Sequence, residues 1–539
     1  MKYFAVLLLF ISYQLKAQEH AWIFFKDKPQ AKYYLQNPLQ MLSQKALDRR
    51  TEQQIALDLS DVPVALNYLQ TLKRETELQV YGASKWRNAV HVVGTEEQVL
   101  KTLSLPFVAR VQFANRSLER TNLSIDIPES TDAQQIQQAD STAKFYGNTT
   151  SQNSILHLDE LHKKGYLGAG IDIAVFDEGF YGVRKVSVFS HLLDGNLENG
   201  EIKNTYNFVN QTTDVYQEIG RTHGLHVLST LAAYKKDFLI GTAPNANYHL
   251  FVTEDYQGLD HPLEEFYWVQ AAEKADSLGV SIINSSLGYT QFAEAKYNYT
   301  YADLNGTTAF VTIGAAIAAS KGILVVNAVG NLGNKSWKYL AAPADAPNIL
   351  AVGAVDVHKQ IASFSSYGPT ADERVKPETL AQGVAVKVVN TDNQIVEQSG
   401  TSFSCPIIAG IAACLWQAFS FKTNLEIREM IIQNSQWVHQ PRAQEGYGVL
   451  DLKGITIPEK KQFPFQFFWS LQQVEVLFDV DFKGFVWVDV FSITGKKLIH
   501  WKCSPDQNIQ SFKQLASGIY VVKYRYQQQT EIRRIQVGN

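Results

Sequence analysis

Residues 171–179 read Ile171-Asp172-Ile173-Ala174-Val175-Phe176-Asp177-Glu178-Gly179, a near-continuous apolar run that ends in a carboxylate and a glycine. Such a run describes a strand buried on both faces, and strands of that kind belong to parallel sheets covered by helices. The same grammar repeats outward from about 155 to 455. Segments 248–252, 280–284, 323–328 and 349–355 read as further buried strands, and 263–278, 307–321 and 402–419 read as helices. The alternation predicts an α/β fold over 146–456, with one parallel sheet and helices on both faces. In such a sheet the functional site lies beyond the carboxyl ends of the strands. Asp177 stands at one of those ends.

Two further segments fall at element ends. His223 opens His223-Gly224-Leu225-His226-Val227, which turns helical after its first residues. Ser402 lies in Ser399-Gly400-Thr401-Ser402-Phe403-Ser404-Cys405-Pro406, a glycine-containing turn that runs into an apolar helix. A hydroxyl at a helix N-terminus sits where the macrodipole favours a developing anion. Taken alone, each has a plainer reading. A serine in a turn is most often a helix cap, and a lone histidine is most often structural. His226 could join His223 as a metal pair, but His-Gly-Leu-His is not the His-Glu-x-x-His spacing of a zinc site, so no metal is expected there.

The chain of 539 residues and 60.5 kDa predicts roughly three or four folding units. Its 45% hydrophobic and 19% charged residues are those of a globular protein. Lys plus Arg number 49 against 53 Asp plus Glu, and the net charge of -4 argues against nucleic acid as a partner. Three cysteines make no disulfide scaffold. Cys405 and Cys414 fall on one predicted helix about 13.5 Å apart at about 1.5 Å per residue, beyond the roughly 7 Å reach of a disulfide. Both are expected as buried thiols.

Residues 1–17 have Lys2, an apolar run over 3–11 and Ala17 at a cleavable position, the pattern of a Sec signal peptide. The apolar run is about nine residues against the roughly 20 that span a bilayer. Segment 406–416 is apolar but short and opens with Pro406, so it reads as a core helix, and the mature protein is expected without a membrane span. From 18 to about 120, strands at 21–25, 89–93 and 108–113 with helices at 64–73 and 96–103 suggest a small α+β unit. A polar, aperiodic linker over 121–145 follows. The tail, 462–539, alternates at 474–480, 485–491, 519–526 and 531–537, a small antiparallel β module without a catalytic candidate.

The order Asp177, His223, Ser402 with these flanks resembles the subtilisin-like serine peptidases, the subtilases, whose triad runs in that order. The resemblance extends through 241–246 (Gly-Thr-Ala-Pro-Asn-Ala), Asn284-Ser285-Ser286-Leu287-Gly288, Ala328-Val329-Gly330-Asn331, 362–369 and Lys376-Pro377-Glu378. It implies a subtilisin-like fold and peptide-bond hydrolysis through an acyl-enzyme intermediate. Asp177 would orient and stabilise His223, His223 would activate Ser402, and Asn331 with the Ser402 backbone N–H would bind the oxyanion. Ser286, Leu287 and Gly288 match the family's substrate-backbone segment, where an extended peptide adds a strand. Calcium is a structural ion in many subtilases, but Asp303-Leu304-Asn305-Gly306 alone lacks a defined oxygen-ligand spacing.

The chain departs from the pattern in places. Glu178 stands where Thr or Ser is usual, Leu225 replaces Thr, Phe403-Ser404-Cys405 replaces Met-Ala-x, and Glu378 and Gln382 replace Asp and Pro. Glu178 would raise the pKa of His223 if it pointed inward, although a residue just past a strand end more often faces water. Region 18–145 resembles in position the inhibitory prosegment of many subtilases. The tail resembles type IX secretion sorting domains through 488–497 and 515–522. The implied protein is a secreted or cell-surface serine endopeptidase made as a zymogen. It would be exported by Sec and then across the outer membrane by the type IX machinery, with protein or peptide substrates. Two other readings stand beside it: a sedolisin-like acid peptidase, which needs a Glu base and an acidic oxyanion residue, and a catalytically degenerate subtilase fold used for binding or adhesion.

Overall fold

The computed structural model describes residues 17–118, 143–194, 200–217, 220–255 and 260–459, with the strands and some connections of 465–537. The signal-peptide reading of 1–17 and most of the linker reading of 121–145 fall outside the described residues. The chain divides into two compact units, Met1–Pro458 and Glu459–Asn539.

The first unit is built on a seven-stranded sheet in the spatial order Thr379–Gln382, Leu350–Val355, Leu324–Ala328, Ile282–Ser285, Asp172–Asp177, Asn247–Val252, Ile202–Asn207. Every neighbouring pair is parallel, with Ile282 opposite both Ile173 and Leu324. The five apolar runs form its centre, as the sequence predicts. Its two edge strands were not expected: Ile202–Asn207 is mostly polar and Thr379–Gln382 has four residues, so pairing rather than composition makes them strands.

Helices cover both faces. On one, Pro262–Leu278 and Phe310–Ser320 bury Phe176, Ile283 and Val325, with Trp268 fully enclosed and its Nε1 donating to Ser285 Oγ at 2.9 Å. Pro262–Leu278 starts on Pro262, where a missing N–H costs nothing. It ends at Gly279 in the left-handed region, φ +84°. On the other face, His223–Ala232 and Thr401–Ala418 cover Ile173, Val175, Leu250 and Leu324. Thr401–Ala418 is long and apolar enough to cross a membrane by length and composition, but it is the buried core helix of this unit. Gly410 sets its depth, since a Cβ there would fall 1.9 Å from Thr242 Oγ1. Burying Ile407, Ile408, Ile411 and Leu415 stabilises the layer by about 1.5–3 kcal/mol each. Cys405 and Cys414 are buried free thiols on this helix.

The N-terminal part is a four-stranded antiparallel sheet in the order Gln79–Ser84, Ala89–Thr95, Gln18–Phe25, Val108–Phe113. Along Gln18–Phe25, Ala21, Ile23 and Phe25 face this sheet's own core, while Trp22 and Phe24 face the helices Pro262–Leu278 and Phe310–Ser320. Trp22 stacks on Phe310 with centroids 4.7 Å apart and planes 6° from parallel. Charge crosses the same junction. Asp276 receives Arg49 and, at 2.8 Å, Arg50; Arg50 also meets Asp61 at 3.0 Å, and Lys321 meets Asp58 and Asp61 at 3.0 and 3.1 Å. Glu273 accepts the backbone N–H groups of Lys85 and Trp86, each at 3.0 Å. Sequence periodicity predicts two helices here, and the structure adds Gln44–Glu52. That helix turns Arg49 and Arg50 inward, so it carries no apolar stripe to read.

The second unit holds two antiparallel sheets, Phe465–Trp469, Gln473–Phe478, Ile509–Ser511 and Lys497–Cys503, Val486–Ser492, Gly518–Tyr526, Gln529–Val537. The four strands expected there gain three partners. In Val486–Ser492, Val486, Val488 and Val490 are buried, and Asp489 is held by Lys497 at 2.9 Å and Arg525 at 3.0 Å.

Candidate active site

Asp177 is the last residue of its strand and fully buried. Its Oδ1 accepts the Glu178 N–H at 2.9 Å and lies 2.9 Å from His223 Nδ1, with Oδ2 at 3.1 Å. His223 is the first residue of His223–Ala232, so the helix begins at the histidine rather than after it. The close approach depends on Gly224, where a Cβ would lie 2.3 Å from the Gly179 carbonyl. The imidazole keeps 30% of its surface exposed. Burial pulls its pKa down, but the charge and hydrogen bond of Asp177, joined by the charge of Glu178, outweigh that and leave it raised. Glu178 does not face water as its place in sequence suggests. It is half-buried beside His223, because Arg221 Nη1 holds the Glu178 carbonyl at 3.2 Å and closes the turn inward.

Ser402 is the second residue of the core helix. Its Oγ donates to the Ser286 carbonyl at 3.3 Å, and its own carbonyl accepts from Ser286 Oγ at 2.8 Å. The hydroxyl must turn from Ser286 O to the imidazole to act as a nucleophile. The next residue, Phe403, lays its ring 5.6 Å from His223. Ser286 is therefore tied to Ser402 twice, Leu287 is half-buried and Gly288 is exposed, so the segment after Ile282–Ser285 offers backbone at the carboxyl edge of the sheet.

Asn331 follows Leu324–Ala328 by three residues. Its Oδ1 accepts from Thr401 N at 2.9 Å and Thr401 Oγ1 at 3.0 Å. A backbone N–H can only donate, so the atom facing it is the oxygen, and Nδ2 is turned outward as a donor. The Gly330 N–H in turn donates to Thr401 Oγ1 at 3.2 Å. Thr401 and Glu178 are the residues that sequence reasoning did not place in the site. Thr401 was visible as the neighbour of Ser402; nothing in the sequence showed which way Glu178 points.

Among the described residues one carboxylate group, Glu254, Asp260 and Glu264, has oxygens within 4.8 Å of one another. Its donors are already engaged. Glu264 caps Asp255 N and His261 N at 2.7 Å each, and Glu254 receives the hydroxyls of Tyr289 at 2.6 Å and Thr253 at 2.9 Å. Burial lifts Glu264 to about 8 and Asp260 to about 6, as in carboxyls that share protons. Asp303 likewise caps Thr300 at 2.7 Å, and Asn305 caps Thr307 at 2.9 Å. These groups do not form a calcium cradle, and calcium enters no step below.

A strand-end carboxylate that orients a histidine, a serine at a core-helix N-terminus and a parallel sheet with helices on both faces define a class of hydrolase folds. The subtilase family model matches residues 168–449, just over half of the chain, and a model of the Bacteroidota peptidase S8 propeptide domain matches residues 20–131. The chain belongs to the subtilase family of serine peptidases. It is 30% identical over 289 residues to the thermostable alkaline protease of Halalkalibacterium halodurans, a match covering 53% of this chain and 68% of that protein. It is 30% identical over 274 residues to subtilisin NAT of Bacillus subtilis subsp. natto, covering 50% of this chain and 62% of that protein, less than two thirds of its length. Among solved structures, MycP1 with its N-terminal propeptide removed is 20% identical with a TM-score of 0.45, over 57% of this chain and 98% of that one.

Proposed function

We propose that this chain is a serine endopeptidase, made as a zymogen and exported, that cleaves peptide bonds through Asp177, His223 and Ser402. One observation carries the reading: the buried Asp177 holds His223 Nδ1 at 2.9 Å at the same sheet edge where Ser402 heads the core helix. His223 takes the Ser402 proton as Oγ attacks the scissile carbonyl carbon. Asn331 Nδ2 and the Ser402 N–H then bind the oxygen as it becomes negative. The imidazolium returns its proton to the leaving amine, and water repeats the sequence on the acyl-enzyme. Ser286, Leu287 and Gly288 bind the substrate backbone as an added strand.

The remaining segments follow from this. Residues 1–17 direct Sec export, and 18–145 act as inhibitory prosegment and linker over the peptidase domain, 146–456. Segment 462–539 is a sorting module for passage across the outer membrane through type IX secretion, which delivers the enzyme outside the cell or to its surface. The supports are the propeptide-model match at 20–131 and the separate compact unit at 459–539. Wild type and Ser402→Ala should be compared for fluorophosphonate labelling, casein digestion and self-cleavage. Wild type is expected to label, digest and mature, and Ser402→Ala to do none of these. An unlabelled, inactive wild type would favour the binding or adhesion reading.

A further inference from the structure

We propose that Glu178 is a positioning residue for His223: its carboxylate anchors the backbone at the start of the histidine helix and places a second negative charge beside the imidazole. The inference rests on the triad reading above.

The turn that carries Glu178 is fixed at three points. Its N–H donates to Asp177 Oδ1 at 2.9 Å, its carbonyl accepts Arg221 Nη1 at 3.2 Å, and Gly179 O packs against Gly224. The helix His223–Ala232 needs such help. Thr222 supplies no side-chain cap, and the first turn contains no acidic residue. The Glu178 carboxylate faces the His223 backbone N–H and so stands where a capping acid stabilises a helix start, although it comes from another element. The Thr or Ser usual at this position in the subtilase pattern can accept a hydrogen bond but brings no charge.

The other charged groups around the imidazole do not duplicate this one. Asp177 holds Nδ1 from the strand end. His226, one turn along the helix, is kept neutral, lowered to about 4 by burial and then by His223. Arg221 lies on the far side of the Glu178 turn, within 3.7 Å of Asp255. The core helix contributes Ser402 and Phe403, which carry no charge. Removing the Glu178 charge therefore makes His223 easier to deprotonate. Burial and the Asp177 charge raise the pKa of Glu178 itself, so its effect is present at neutral pH and fades as it protonates in acid.

The test is the pH dependence of kcat/KM for the wild type, Glu178→Gln and Glu178→Thr. Gln keeps an acceptor for the His223 N–H and loses the charge; Thr restores the residue of the pattern. The acidic limb is expected to move to lower pH by about half a pH unit in both, as loss of one charge about 6 Å away through water-like screening implies. The melting temperature should fall more for Thr than for Gln. An NMR titration of His223 in the Ser402→Ala background, with and without Glu178→Gln, reads the same shift without activity. A limb and a titration that stay put, or move upward, overturn the inference. A fall in melting temperature alone reduces Glu178 to a structural cap and overturns it too. Persistent activity in Ser402→Ala would instead overturn the triad reading, which keeps the two failures distinguishable.

Discussion

Acidification from pH 7.5 to 5.0 should loosen the N-terminal sheet from the catalytic helices, and two imidazoles set the size of the effect. His20 Nδ1 and His91 Nε2 lie 2.9 Å apart, with His91 completely buried and its Nδ1 without a hydrogen-bond partner. The rings sit between Trp22 and Tyr81 of the sheet and Phe266 and Tyr297 of the catalytic part. Burial first, then His261, lowers His20 from 6.5 to about 4, against an opposing pull from Glu294; Lys296 adds to the lowering while pairing with Glu19 at 3.2 Å. Burial and His20 push His91 the same way. The docked state thus binds protons less readily than a solvated imidazole. Docking is at full strength above about 6.5, weakens as pH falls below it, and levels off below about 4. For His20 alone, those two values weaken docking about 30-fold at pH 5. The assay is amide exchange of Gln18–Phe25 and Ala89–Thr95 in the uncut Ser402→Ala chain, corrected for the intrinsic pH dependence of exchange. The double variant His20→Gln, His91→Phe should lose most of the pH dependence. Equal protection at pH 7.5 and 5.0, or an unchanged slope in the double variant, would refute the reasoning.

Replacing Asn331 with Leu should lower kcat by roughly 10²–10³ with little change in KM, because the donor meets the oxygen chiefly when it is charged; steady-state kinetics decide it. That range was established for the matching donor of subtilisin and carries over with the family. Asp276→Asn leaves Arg49 and Arg50 buried without their counter-charge and should cost about 3–5 kcal/mol, read by thermal unfolding of the uncut chain and by earlier release of the N-terminal sheet. A chain ending at Pro458 should fold, mature and cleave peptide yet remain inside the outer membrane of its host; its appearance outside would defeat the sorting role, and an inactive folded product would defeat the independence of the two units.

Much of this protein was legible as a string of residues. Five apolar runs at strand length, each followed by a helical stretch, are enough to specify the centre of a parallel sheet, because burial on both faces leaves no polar alternation. Asp177, His223, Ser402 and Asn331 could be picked out since each stands at an element end within a motif. Less visible were the edge strands Ile202–Asn207 and Thr379–Gln382 and the helix Gln44–Glu52. Their identity comes from pairing or from buried charge, neither of which leaves a hydrophobic period.

Only the tertiary structure decided how those residues are used. Sequence places Glu178 one step past a strand, which suggests solvent; the grip of Arg221 on its carbonyl turns it toward His223. Sequence marks Asn331 as a donor; the Thr401 N–H determines which end of its amide points outward. His20 and His91 are 71 residues apart, and each alone reads as an ordinary histidine. Strand register and the catalytic helices bring them into one dry contact, and there a low local polarity converts two common side chains into a proton-sensitive joint. Backbone periodicity is a local property and can be read along the chain; orientation, hydrogen-bond partners and desolvation depend on residues that only the folded chain makes neighbours.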